Sequence, residues 1–329
     1  MYINEIIRVT YKCNWKCKFC NVLKTNNYWE IDIISKQVVY EILELARKYK
    51  RIELNSLDLS FSWWEPTLSK NLWSYIKLAK SIWVWNVQIQ TNWTIIFSDL
   101  KLLDSLVNSW LNEIFLANHS ENSDINMKMW SYSNIDNFLK FLEYFKNNKL
   151  NSKIKILTNI VVNKINLPTT INYINFLLEN DYFEIIWNKH LSIWFVQANW
   201  YANINKDEVL LKYSPRDIKQ IVEIIKHCEK KWLLLDFHYT SPPLCILNYP
   251  EYNLEYYRLK QLENDKKSSS INDSNLESFK YLWKEKQKFE ECNKCKYNDY
   301  CLWFYKNWVS FVWDDYAKEK INNFLKNGK

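Results

Sequence analysis

Tyr11-Lys12-Cys13-Asn14-Trp15-Lys16-Cys17-Lys18-Phe19-Cys20 gathers three of the chain's eight cysteines into one short segment, spaced C-x3-C-x2-C. An apolar, β-leaning run over residues 3–9 precedes it, which predicts a cysteine loop at the C-terminal end of a first strand. Three thiolates on one short loop can hold three corners of an iron–sulfur cube and leave its fourth iron open to another ligand.

Downstream, the pattern alternates. Residues 57–61, 86–90, 113–117, 153–162 and, with an interruption, 183–197 read as strands. Between them, residues 32–49, 69–82, 98–108, 135–145 and 169–179 have helical spacing. Six strands separated by helices predict a parallel α/β fold with helical crossovers. In such barrels chemistry collects at the C-terminal strand ends. Three further polar clusters fall there: Ser62-Trp63-Trp64-Glu65-Pro66-Thr67, Thr91-Asn92-Trp93 and Asn118-His119-Ser120. Gln197 and Asn199 end the last barrel strand and either face the cavity or cap the strand. His190, His227 and His238 have no recognisable context.

A chain of 329 residues buries a large core and has room for a second, smaller region. Hydrophobic residues make up 48% and charged residues 25%, as in ordinary globular proteins. No apolar run reaches the roughly 18 residues that span a bilayer, and the N-terminus lacks a basic-then-apolar signal. A cytoplasmic protein is therefore expected, in which eight cysteines point to metal or catalysis rather than disulfides. The net charge of +7 is spread among Asn and Glu, favouring a solvated surface over a nucleic-acid footprint.

One count is abnormal. Gly328 is the single glycine, where average usage of about 7% would give roughly 23. Tryptophan, by contrast, occurs 18 times. A barrel needs glycine for turns with positive φ and for close backbone approach to ligands. The composition thus predicts that many tryptophans, Trp63, Trp64 and Trp93 among them, stand for glycine encoded by UGA. An aromatic-rich binding surface is the rival reading.

With that substitution, residues 62–67 read S-G-G-E-P-T and residues 91–93 read T-N-G. Together with C-x3-C-x2-C, these motifs resemble the radical S-adenosylmethionine (SAM) superfamily. The resemblance implies a partial (β/α)6 TIM-like barrel over residues 1–205, with a smaller cysteine-rich iron–sulfur region over 206–329. It implies that Cys13, Cys17 and Cys20 ligate a [4Fe–4S] cluster whose open iron is chelated by SAM. Trp63, Trp64, Glu65, Pro66, Asn92 and His119 would lie around SAM, with Glu65 near positive charge. One-electron reduction, from an external flavodoxin- or ferredoxin-like donor, would cleave SAM to a 5′-deoxyadenosyl radical that abstracts hydrogen from the substrate.

Near the C-terminus, Cys292-x2-Cys295-x5-Cys301, with Cys245 upstream, makes four candidate thiolate ligands. This set resembles the SPASM and twitch auxiliary-cluster extensions and implies a second [4Fe–4S] cluster. Tyr305 stands where a full SPASM domain has a further cysteine. Zn²⁺ also accepts four cysteines. Cys228, within a helical pattern, reads as a buried core thiol. SPASM-type extensions accompany peptide-modifying enzymes, so a peptide or protein side chain is the expected substrate. The alternatives are a small-molecule enzyme resembling the GTP 3′,8-cyclases and a non-catalytic metal- or RNA-binding module.

Overall fold

A computed structural model describes residues 3–20, 35–62, 64–129, 135–196, 209–211, 213–237, 244–247, 286–295, 298, 304–305 and 314–326. Its centre is a seven-stranded sheet in the order β1 (Ile3–Ile7), β2 (Leu57–Phe61), β3 (Asn86–Thr91), β4 (Glu113–Ala117), β5 (Lys155–Val162), β6 (His190–Phe195) and β7 (Leu234–Phe237). Strands β1 to β5 pair in parallel, with Ile7 beside Phe61, Phe61 beside Ile89, Thr91 beside Leu116 and Ala117 beside Asn159. The order has two ends, so the sheet is open.

Helices α1 (Ser35–Lys48), α2 (Leu72–Ser81), α3 (Leu100–Val107), α4 (Ile135–Asn147) and α5 (Thr170–Glu179) make the crossovers, and α6 (Pro215–Lys230) leads into β7. Each buries one stripe, as 3.6-residue periodicity requires. In α1 the stripe is Val38, Ile42 and Leu45; in α4 it is Phe138, Phe141, Leu142 and Phe145. One sheet face matches them with Leu59, Phe61, Val87, Ile89, Ile114, Leu116 and Ile156, all buried. The opposite face carries polar side chains, among them Ser60, Gln88 and Gln90. Ile6, Phe115 and Leu157 share that face, so it is mixed, with polar positions among apolar ones.

Two sequence expectations change. The interrupted strand over 183–197 is a helical turn, Tyr182–Ile185, followed by β6 at His190–Phe195. An apolar run of this length is ambiguous between strand and buried helix, and packing decided for helix. Beyond the six strands expected, Leu234–Phe237 joins the sheet as its seventh member.

The chain forms two compact units: residues 1–17, 22–160 and 172–191 in one, residues 18–21, 161–171 and 192–329 in the other. They interleave along the chain. The second unit has its own apolar centre, where Phe19, Ile165 and Trp194 pack on Val161, Val196, Val209 and Leu210. There α6 buries Ile221, Ile224, Ile225 and Cys228, and Tyr316 Oη, in α7 (Asp314–Lys326), donates to the Tyr213 carbonyl at 2.5 Å. Burial raises the Cys228 thiol to about 12, in keeping with a core residue.

Candidate active site

The cysteine loop begins where Val9 and Thr10 leave the core. Thr10 Oγ1 accepts from the Lys12 N–H at 3.1 Å and turns the chain. The loop is then held from the ends of β2 and β3. The Lys12 carbonyl accepts from the Glu65 N–H at 2.9 Å. Asn92 Nδ2 donates to Asn14 Oδ1 at 2.7 Å and lies 3.9 Å from Cys13 Sγ. Trp15 is buried, its Nε1 donates to Thr94 Oγ1 at 2.7 Å, and its ring meets His119 edge-on at 6.2 Å. Cys13, Cys17 and Cys20 are half-buried and in no disulfide.

Glu65 organises the strand ends. Its side chain is wholly buried. Oε1 accepts from the Thr67 N–H at 3.1 Å, Thr67 Oγ1 at 2.5 Å and Thr91 Oγ1 at 2.7 Å, while Oε2 accepts from the Asn92 N–H at 2.7 Å. Burial raises its carboxyl, against the opposing pull of these donors. Sequence reading placed this carboxylate to meet positive charge. Here the protein's own donors engage it, because Thr67, Thr91 and Asn92 all converge on it. Pro66 opens the 3-10 turn Pro66–Leu68 with Glu65 as its N-cap. Trp64 lies in left-handed backbone at φ 52°, with its ring against Tyr11 at 4.8 Å and under the Arg8 guanidinium at 5.7 Å. Trp63 lies outside the described residues.

At the end of β4, Asn118, His119 and Ser120 are all buried. The His119 N–H donates to Asn118 Oδ1 at 3.0 Å, and burial lowers the imidazole to about 3, so it is neutral. Sequence reasoning missed two residues. Ser60 Oγ and Asn159 Oδ1 are buried without a hydrogen-bond partner among the described residues. Asn159 sits beside Ala117, next to the 118–120 cluster. Its signal was the polar pair Thr158-Asn159 between the apolar pieces Ile156-Leu157 and Ile160-Val161-Val162.

In the second unit, Cys292 and Cys295 lie on and just after the 3-10 segment Glu290–Lys294, and Cys245 lies in the turn Leu244–Leu247. The Cys295 N–H donates to the Cys292 carbonyl and the Asn298 N–H to the Cys295 carbonyl, each at 3.0 Å. Cys301, Gln197, Asn199 and His238 fall outside the described residues. Strands β8 (Lys286–Gln287) and β9 (Phe304–Tyr305) pair antiparallel. Among the described residues, no three His, Cys, Asp or Glu side chains converge as a one-ion site requires.

The Radical SAM superfamily model matches residues 7–177, more than half of the chain. The chain belongs to that superfamily and is an enzyme. Among solved structures it resembles Streptococcus suis SuiB bound to the precursor peptide SuiA, with TM-score 0.55 and 19% identity over 76% of this chain and 51% of that one. It resembles SuiB bound to S-adenosylmethionine at TM-score 0.54 and 19% identity, over 78% and 55%. It also resembles anSMEcpe with bound AdoMet and Kp18Cys peptide, at TM-score 0.62 and 15% identity over 99% and 100%. This chain thus spans about half the length of SuiB. No curated protein sequence matches it. The shared fold is the open α/β partial barrel.

Proposed function

We propose that this radical SAM enzyme modifies a side chain of a peptide or protein. One observation carries the chemistry: a three-cysteine loop bonded to the Glu65 and Asn92 bracket at the ends of β2 and β3. Cys13, Cys17 and Cys20 would hold the [4Fe–4S] cluster. Trp63, Trp64, Pro66, Asn92 and His119 would surround SAM, with Glu65 positioning the turn. Trp64 holds a left-handed backbone at φ 52°; on this reading positions 63 and 64 take SAM as glycine, whose missing Cβ permits close backbone approach. When bound, cluster and SAM supply the one-electron chemistry that removes a hydrogen atom from the substrate.

The protein's residues do the rest. Trp15, Asn92 and the Glu65 backbone fix the loop. Neutral His119 adds no charge beside it. Ser60 and Asn159 offer buried polar atoms to a ligand on the mixed sheet face. Residues 1–205 carry this chemistry and 206–329 carry Cys245, Cys292, Cys295 and Cys301 for a second [4Fe–4S] cluster. The peptide assignment is supported by two similar folds that hold peptides and by this second cysteine set. The reading includes an external flavodoxin- or ferredoxin-like donor, because the cluster must be reduced by one electron, and a cytoplasmic setting, where thiols stay reduced. No helix among the described residues is long and apolar enough to cross a membrane.

The test is anaerobic incubation with SAM, reductant and the small peptides encoded beside the gene. A mass change on one of them is expected; no change on any, with GTP consumed instead, contradicts the peptide assignment. Iron analysis tests the second cluster: about eight irons per chain are expected from two four-iron cubes, and about four would contradict it.

A further inference from the structure

Nine non-glycine residues among those described hold a positive φ, and six are tryptophan: Trp64, Trp83, Trp93, Trp110, Trp187 and Trp232, at 52–73°. The described residues contain ten tryptophans, so most of them sit in the one region that a Cβ disfavours. Glycine enters left-handed backbone without penalty, Asn and Asp tolerate it, and a bulky side chain is an outlier there.

Four of the six close helices by one geometry. After α2, the Trp83 N–H donates to the Lys80 carbonyl at 3.1 Å and the Val84 N–H to the Ala79 carbonyl at 3.2 Å. After α3, Trp110 bonds Val107 at 3.0 Å and Leu111 bonds Leu106 at 3.3 Å. The turn Tyr182–Ile185 ends with Trp187 on Glu184 at 3.3 Å and Asn188 on Phe183 at 3.2 Å. After α6, Trp232 bonds Glu229 at 2.8 Å and Leu233 bonds Cys228 at 3.0 Å. This paired bonding is the Schellman motif, whose left-handed position is usually glycine. The four indoles lie in solvent, 55%, 64%, 73% and 83% exposed in chain order, so burial does not hold them there. The Arg51 guanidinium covers the Trp83 ring at 3.9 Å, a surface contact that does not call for left-handed backbone.

The other two flank Glu65. Trp64 precedes it, and Trp93 follows Asn92 as the left-handed N-cap of the turn Thr94–Ser98. The Trp93 ring packs on Phe97 and Phe141, yet its Nε1 is buried with no acceptor among the described residues. Trp15 and Trp194 behave otherwise: neither has positive φ, and their Nε1 atoms donate to Thr94 and Ser192 at 2.7 and 3.1 Å.

We propose that the cell of origin decodes UGA as glycine, so that residues 64, 83, 93, 110, 187 and 232 are glycine in the protein it makes, while Trp15 and Trp194 are tryptophan. The composition predicts missing glycines; the backbone says which positions hold them. Glycine at 64 and 93 also removes two indoles from either side of the Glu65 bracket, where the chain turns at the ends of β2 and β3.

Peptide mass spectrometry of the protein isolated from its own cells tests this without any assay of activity. Glycine at all six positions and tryptophan at 15 and 194 is the expected result. Tryptophan at any of the six, or glycine at 15 or 194, overturns the assignment. A recombinant pair tests the backbone argument separately. Trp83→Gly raises the melting temperature of the chain as written and Trp83→Ala does not match it, because alanine keeps the Cβ. Equal gains from both would overturn that argument.

Discussion

Glu65 shows how much one buried carboxylate can organise. Four donors from Thr67, Thr91 and Asn92 end on it, and the two N–H groups among them have no way to swing elsewhere. Glu65→Ala is expected to destabilise the protein by about 3–5 kcal/mol, read as a lower denaturation midpoint, with Glu65→Gln costing less. His119 makes a second prediction. Its imidazole falls from 6.5 to about 3 on folding, so the unfolded chain binds the extra proton between those values. Stability is therefore lost as pH falls through that window, by up to about 1.4 kcal/mol per pH unit. His119→Gln removes that part of the slope between pH 6.5 and 5 in thermal melts. At this scale the cysteines were legible, because ligand spacing is written along the chain. The donors to Glu65 were not, since Thr91 and Asn92 reach it only after β2 and β3 pair.

Elements were legible wherever periodicity and punctuation agreed. The predicted strands at 57–61 and 113–117 match β2 and β4, and Ser214 caps α6. Ser214 Oγ accepts from the Asp217 N–H while Asp217 reaches back to the Ser214 N–H, a capping box. Ser214→Ala is expected to cost about 1 kcal/mol by chemical denaturation. The misreading at 183–197 has a physical source. A helix stop is normally announced by glycine, and Trp187 occupies that position. The turn Thr94–Ser98 precedes the helix expected over 98–108, and the Asp99 side chain caps α3 through the Lys101 N–H at 3.1 Å.

For the whole molecule, the alternation of strands and helices pointed to the fold class, and the clustering of motifs at strand ends pointed to a candidate site. The interleaving of two compact units was not visible, because it depends on which segments share a core; Phe19 packs with Val161 and Val196. On the proposed function, the Cys13–Cys17–Cys20 loop supports radical chemistry on SAM. The most direct test of this reading measures 5′-deoxyadenosine released by anaerobically reconstituted protein, carrying the residues its own cell inserts, given SAM and a strong reductant. Release that is abolished by Cys17→Ala is the predicted result. No release from protein whose clusters are intact would contradict the account.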